Sequence, residues 1–133
     1  MKKISLFIKK TFHICNIGLI LVYLFPGSIL GWLIYDNIQK QPQLASDFTI
    51  FTLFSANHVY AFMFLSLLGL FSYCEDNVRI LFLYLFFVSI FLELCHIFIP
   101  VRSFEYKDLT GNLLGVFLSF LIFYLFKILK RNK

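Results

Sequence analysis

Polar residues fall in this chain as punctuation between long apolar runs. Residues 11–35 (TFHICNIGLILVYLFPGSILGWLIY) contain no acidic residue, lysine or arginine, and only His13 and Asn16 are strongly polar. Phe48 to Cys74 is a second charge-free run, and residues 79–99 and 108–126 are two further apolar runs whose charged residues are Arg79 and Glu93 in the one and Asp108 in the other. Each can hold a helix of about 20 residues, the length that crosses a bilayer core. The breaks between them are polar. Tyr35–Asp47 (YDNIQKQPQLASD) reads as a loop, and Glu75-Asp76-Asn77 as a tight turn between antiparallel neighbours. Val101–Lys107 connects onward from a natural stop at Pro100. The pattern predicts an all-α fold, a four-helix membrane bundle forming one domain over residues 1–133, with helices at about 11–34, 54–73, 79–99 and 108–126. Pro26-Gly27 interrupts the first run, which either kinks there or leaves the membrane and continues along the interface through Trp32 and Tyr35. Asp108 is placed to cap the last helix.

Composition supports lipid as the solvent. The 133 residues are 60% hydrophobic and 14% charged, with 19 phenylalanines and 7 tyrosines. Soluble domains average about 45–50% apolar and about 25% charged residues, and a chain this short cannot hide the excess in one core. A soluble enzyme or a nucleic-acid binder is thereby excluded. The net charge is +5, and its placement matters more than its size. Of the 12 basic residues, Lys2, Lys3, Lys9 and Lys10 open the chain, and Lys127, Lys130, Arg131 and Lys133 close it. Four spans put both basic ends on one side, cytoplasmic by the positive-inside rule, where they meet anionic headgroups. Three or five spans would separate them. The acidic residues of the 75–77 turn weigh little in that rule.

Smaller features refine this picture. A basic start followed by an apolar stretch resembles a signal peptide, but no small-residue cleavage site follows, so an uncleaved first helix is expected. Cys15, Cys74 and Cys95 follow neither metal nor disulfide spacing and are expected to be unpaired and mostly buried. Gly111, Gly115 and Ser119 form a small-residue stripe, expected to serve packing within the bundle rather than a homodimer seam.

The ionisable residues inside the spans carry the candidate chemistry. With four spans, His58 begins the second, Glu93 and His96 end the third, and Asp108 and Asn112 open the fourth, with Arg102 in the loop between. All six then gather at one depth, towards the outer face. Glu93 and His96 share a helical face, as do Asp108 and Asn112. A charge at the bilayer centre costs ~2.5–3.5 kcal/mol on insertion scales, so these faces should turn inward and pair. Arg102 with Glu93 or Asp108 is the expected ion pair, with His58, His96 and Asn112 completing hydrogen bonds. Such a set can be a structural lock, or a site, since clustered ionisable groups in membranes mark pathways and sites.

As a site, Glu93, His58 and His96 are candidates for acid–base work, because a histidine beside a carboxylate can exchange protons near neutral pH. Arg102, Asp108 and Asn112 are candidates for ligand binding, the arginine towards phosphate or carboxylate. Glu93-x-x-His96 has the spacing of helical di-iron bundles, but it occurs once, and Ser55, not glutamate, lies three before His58. A single zinc on His58, His96 and a carboxylate is the remaining metal arrangement. The expectation is no metal and no cofactor, with membrane lipids as partners.

Residues 93–115 (ELCHIFIPVRSFEYKDLTGNLLG) resemble the signature of the VanZ-like family: Glu-x-x-Gln, a proline shortly before an arginine, then Asp-x-x-x-Asn-x-x-Gly opening the final helix. Glu93, Pro100, Arg102, Asp108, Asn112 and Gly115 fill those places. His58 followed by Phe62 and Gly69 resembles the start of the family's second helix, and Pro26-Gly27 the end of its first. The resemblance runs over roughly residues 20–120. Two positions depart from it: Phe54-Ser55 stands where the family has Asp-Lys, and His96 where it has glutamine. The family is named for low-level resistance to the glycopeptide teicoplanin and is widespread in bacterial envelopes. The resemblance points to the fold and the site and implies no particular reaction. The convergence of polar groups at the outer face leads to the expectation of a bacterial inner-membrane protein whose pocket takes a lipid headgroup, a lipid-linked glycan or a glycopeptide.

Overall fold

The computed structural model describes residues 2–42, 53–74 and 77–131, with side chains from residue 6 onward. The second part of the 35–47 loop and the acidic pair Glu75-Asp76 lie outside the described residues. Every regular element among them is helical: α1 (Lys2–Leu24), α2 (Ile29–Tyr35), α3 (Ala56–Ser72), α4 (Val78–Cys95) and α5 (Tyr106–Arg131). Three segments, Leu6–Leu24, Val78–Cys95 and Tyr106–Arg131, are long and apolar enough to cross a membrane. The apolar α3 has 17 residues, which is about 25 Å of helix and somewhat less than a bilayer core. Large apolar side chains such as Phe7, Phe71, Phe87, Phe91 and Phe126 are exposed along these helices. That is the surface of a membrane-embedded protein.

The first apolar run does not form one helix. Pro26 supplies no N–H and disfavours helical backbone at Phe25. Gly27 then takes φ +100°, and Ser28 restarts the chain by accepting from the Gly31 N–H at 2.9 Å. The resulting α2 ends at Asp36 in the left-handed region. Its Trp32, Leu33 and Ile34 are exposed. The third run also stops early, at Cys95, and residues 96–99 tighten into i→i+3 hydrogen bonds before Pro100. Asn77 caps α4 by accepting from the Arg79 N–H at 3.2 Å.

The glycine stripe decides how α3 and α5 meet. A Cβ on Gly115 would stand 2.5 Å from the Val59 carbonyl oxygen and 2.8 Å from the Met63 nitrogen, and one on Gly111 2.8 Å from the Ser55 oxygen. Ser119 continues the seam by donating to the Met63 carbonyl at 3.0 Å. The stripe therefore packs within the chain, backbone against backbone. On the other flank of α3, Gly69 admits the Phe12 ring of α1 and Leu81 of α4. Phe62, Leu65, Leu85, Leu92 and Val116 fill the space between, all buried. The last turns of α1 and α4 and the first turns of α3 and α5 meet at one end, and the lysine-bearing termini lie at the other.

The cysteines are free, as spacing suggested, but Cys74 is exposed and the other two are half-buried. The expectation of mostly buried thiols is corrected by their position: Cys74 follows the end of α3 and is exposed there.

Candidate functional site

The proline break builds the site. Val22 would accept from the residue four positions on, but that residue is Pro26, so its carbonyl is left without a helical donor. Arg102 fills the gap, donating from Nη2 to the Val22 oxygen at 3.3 Å and from Nε to the Phe25 oxygen at 3.4 Å. His96 Nε2 lies 3.1 Å from the Tyr23 carbonyl oxygen. The acceptor end of α1 is thus closed by two side chains from the segment that follows α4, His96 and Arg102. The expected ion pair of Arg102 with Glu93 or Asp108 is not formed, because backbone acceptors freed at Pro26 lie nearer. Half-burial pulls the Arg102 guanidinium below its ordinary range, while Tyr23, Asp108 and Glu93 pull it back.

Because the Tyr23 carbonyl can only accept, His96 Nε2 carries a hydrogen. Its Nδ1 faces Glu93 Oε1 at 3.3 Å, so one further hydrogen is held between that pair. Glu93 Oε1 also accepts from the Glu105 N–H at 3.1 Å, at the start of α5, where the helix end favours a negative group. Glu93 is 0% exposed, and its Oε2 is buried with no hydrogen-bond partner. The Tyr23 ring stacks on His96, with centroids 5.7 Å apart and planes at 16°.

A second branch passes through His58. Asn112 donates from Nδ2 to the Ser89 carbonyl at 3.3 Å, which turns its Oδ1 towards His58 and Tyr23. That oxygen accepts from the Tyr23 hydroxyl at 2.8 Å and lies 3.1 Å from His58 Nδ1. Since Oδ1 cannot donate and the tyrosine hydrogen is committed to it, Nδ1 carries the imidazole hydrogen. His58 Nε2 then points at Asp108 Oδ2, 3.4 Å away. Asp108 sits within the first turn of α5 rather than ahead of it, and its carboxylate goes to His58. The expected capping role is replaced by this pairing.

Of the six sequence-predicted residues, His58, Glu93, His96 and Asn112 form one buried network with the half-buried Asp108 at its edge, and Arg102 borders it. Tyr23 is the member that sequence reasoning missed, although it bonds to both His58 and Asn112. Its signal is its place three residues before Pro26, at the depth of the other polar groups. The metal grouping also differs from expectation. His58, Glu93 and Asp108, not His96, offer ligand atoms within 4.8 Å of one another.

A cavity of about 420 Å³ opens onto this network between α1, α2 and α3. Leu19, Val22, Ile29, Leu30, Ala61 and Phe64 wall it, and Tyr23, His58, Arg102, Asn57 and Gln41 supply its polar groups. That size lies in the range of small-ligand sites, about 300–1,000 Å³. Glu93, His96 and Asn112 stand behind it and hold its polar side in place. No protein-family model matches the chain, and no curated protein or solved structure matches it.

Proposed function

We propose that the chain is a VanZ-like bacterial envelope protein that binds the anionic headgroup of a lipid or lipid-linked intermediate in this cavity. In this reading α1, α3, α4 and α5 span the inner membrane as a four-helix bundle, with both basic termini in the cytoplasm. α2 lies along the outer interface, where Trp32 and Tyr35 suit the headgroup region. The observation that carries the proposal is the cavity's composition: apolar walls for acyl chains, with Arg102 and His58 at its polar side. Two of the five N–H donors of Arg102 hold α1, which leaves donors for phosphate or carboxylate. His58, backed by Asp108, would take or return a proton at a bound hydroxyl.

The alternative is an accessory membrane protein whose cluster is a structural lock. The full burial of Glu93 and His96 favours it. One series separates the two: alanine at Glu93, Arg102 and Asp108, with protein abundance, glycopeptide susceptibility and co-purifying anionic lipid measured together. The binding reading expects Arg102→Ala to keep normal abundance and lose about tenfold in lipid retention, as for one removed charged hydrogen-bond partner. Unchanged lipid retention and susceptibility at normal abundance in all three variants would sink it.

A further inference from the structure

We propose that His58, Glu93 and Asp108 together hold a single divalent transition-metal ion of the zinc class. The inference stands on the donor geometry and does not require the headgroup reading, and it gives His58 a ligand's role in place of the proton transfer described there.

The three residues come from three helices, α3, α4 and α5, and their ligand atoms lie within 4.8 Å of one another. A tetrahedral zinc with bonds of about 2.0–2.2 Å separates its ligands by about 3.3–3.5 Å. His58 Nε2 and Asp108 Oδ2 already stand 3.4 Å apart. Glu93 offers a carboxylate oxygen within 4.8 Å of both, and it must approach them further to complete the set. The pair His58–Asp108 therefore has the edge length of a coordination polyhedron.

The tautomer fits as well. The contact with Asn112 Oδ1 places the His58 hydrogen on Nδ1 and leaves the Nε2 lone pair facing Asp108. Metal-binding histidines have this outer shell, in which the second ring nitrogen donates to a fixed oxygen. Ser89 fixes that oxygen by holding the Asn112 amide, and Tyr23 bonds to the same oxygen. Without an ion, Nε2 and Oδ2 need a proton between them.

Glu93 supplies the independent observation. Its Oε1 is occupied by His96 and the Glu105 N–H, while its Oε2 is buried and has no partner. A carboxylate oxygen shut away from water is costly unless something pairs with it, and a cation does. Three protein ligands leave a fourth position, the arrangement in which zinc meets a water or a ligand oxygen. His58 lines the 420 Å³ cavity, so that position is reached from the same side.

The experiment uses the full chain in nanodiscs, stripped with a chelator and then titrated with Zn²⁺ alone, with bound metal counted by mass spectrometry. One zinc per chain is expected, and Asp108→Asn and Glu93→Gln should each weaken binding at least 100-fold. Stoichiometry well below one in the unsubstituted protein overturns the proposal, as does binding that survives both substitutions. A gain of signal guards against variants that only unfold. Cobalt added to His58→Cys should show the thiolate-to-cobalt charge-transfer band that the unsubstituted protein lacks. Absence of that band in folded protein, or its presence before substitution, also overturns the assignment. Loss of lipid retention without any change in metal content would bear on the headgroup reading only.

Discussion

The two ends of the helices each carry histidine, tyrosine and asparagine, yet they are built differently. At the lysine-bearing end, His13 Nε2 meets the Tyr73 hydroxyl at 2.8 Å, Asn16 donates to the Tyr84 hydroxyl, and Lys9 lies over the Tyr73 ring. His13 and Lys9 share Tyr73, the Asn16–Tyr84 pair stands apart from them, and His13 and Tyr84 are exposed. At the other end, Tyr23, His58, Glu93, His96 and Asn112 are all buried and share partners. The same side-chain chemistry makes two small groups in one place and a single network in the other. Asn16 is as buried as Tyr23 and His58, so what separates the two places is the convergence of four helix ends, and the network, not the smaller groups, adjoins the 420 Å³ cavity.

The comparison can be broken most sharply through the seam that sets the depth of α5 against α3. Gly115→Leu should cost more than any polar substitution, at least about 3 kcal/mol, because backbone atoms of Val59 and Met63 occupy the new side chain's space. Loss of protein from membranes and of a cooperative melt in detergent would show it. Next, Glu93→Ala removes the partner of His96 and of the Glu105 N–H, and about 3 kcal/mol of destabilisation is expected. A melting temperature within a degree of the parent would mean that the network is not a unit. Tyr23→Phe leaves Asn112 and His58 to each other and should cost about 1–2 kcal/mol in the same assay. Tyr73→Phe, at the lysine end, should stay within about 0.5 kcal/mol. A double-mutant cycle sharpens the contrast: His58→Ala with Asn112→Ala should couple by about 1 kcal/mol or more, whereas His13→Ala with Asn16→Ala should add.

Much of this was legible because polar groups in apolar spans are expensive and must be explained. His58, Glu93, His96, Asp108 and Asn112 stand out in runs of Leu, Phe and Ile, and the four-residue spacing of the glycines points to close helix packing. Tyr23 did not stand out, since a tyrosine near a span's end reads equally well as an interfacial anchor. The partner of Arg102 was misjudged for a different reason. Charge complementarity favoured Glu93 or Asp108, but the competing acceptors are backbone carbonyls, and which ones are free depends on where α1 ends. Pro26 announces a break without announcing what will face it. The first helix was drawn through to residue 34 on the same ground, because apolar residues continue past the break into the exposed α2.

The closure of α1 by His96 and Arg102 bears on how the protein is made. A chain emerging from the ribosome completes α1 long before its donors exist: Tyr23 waits 73 residues for His96, and Val22 waits 80 for Arg102. Backbone carbonyls without donors are costly at membrane depth, so the end of α1 must stay in contact with water or the insertion machinery meanwhile. The loop after α4 is therefore a late fastener. Its arrival lets the first helix settle, which makes maturation of this small protein depend on its second half.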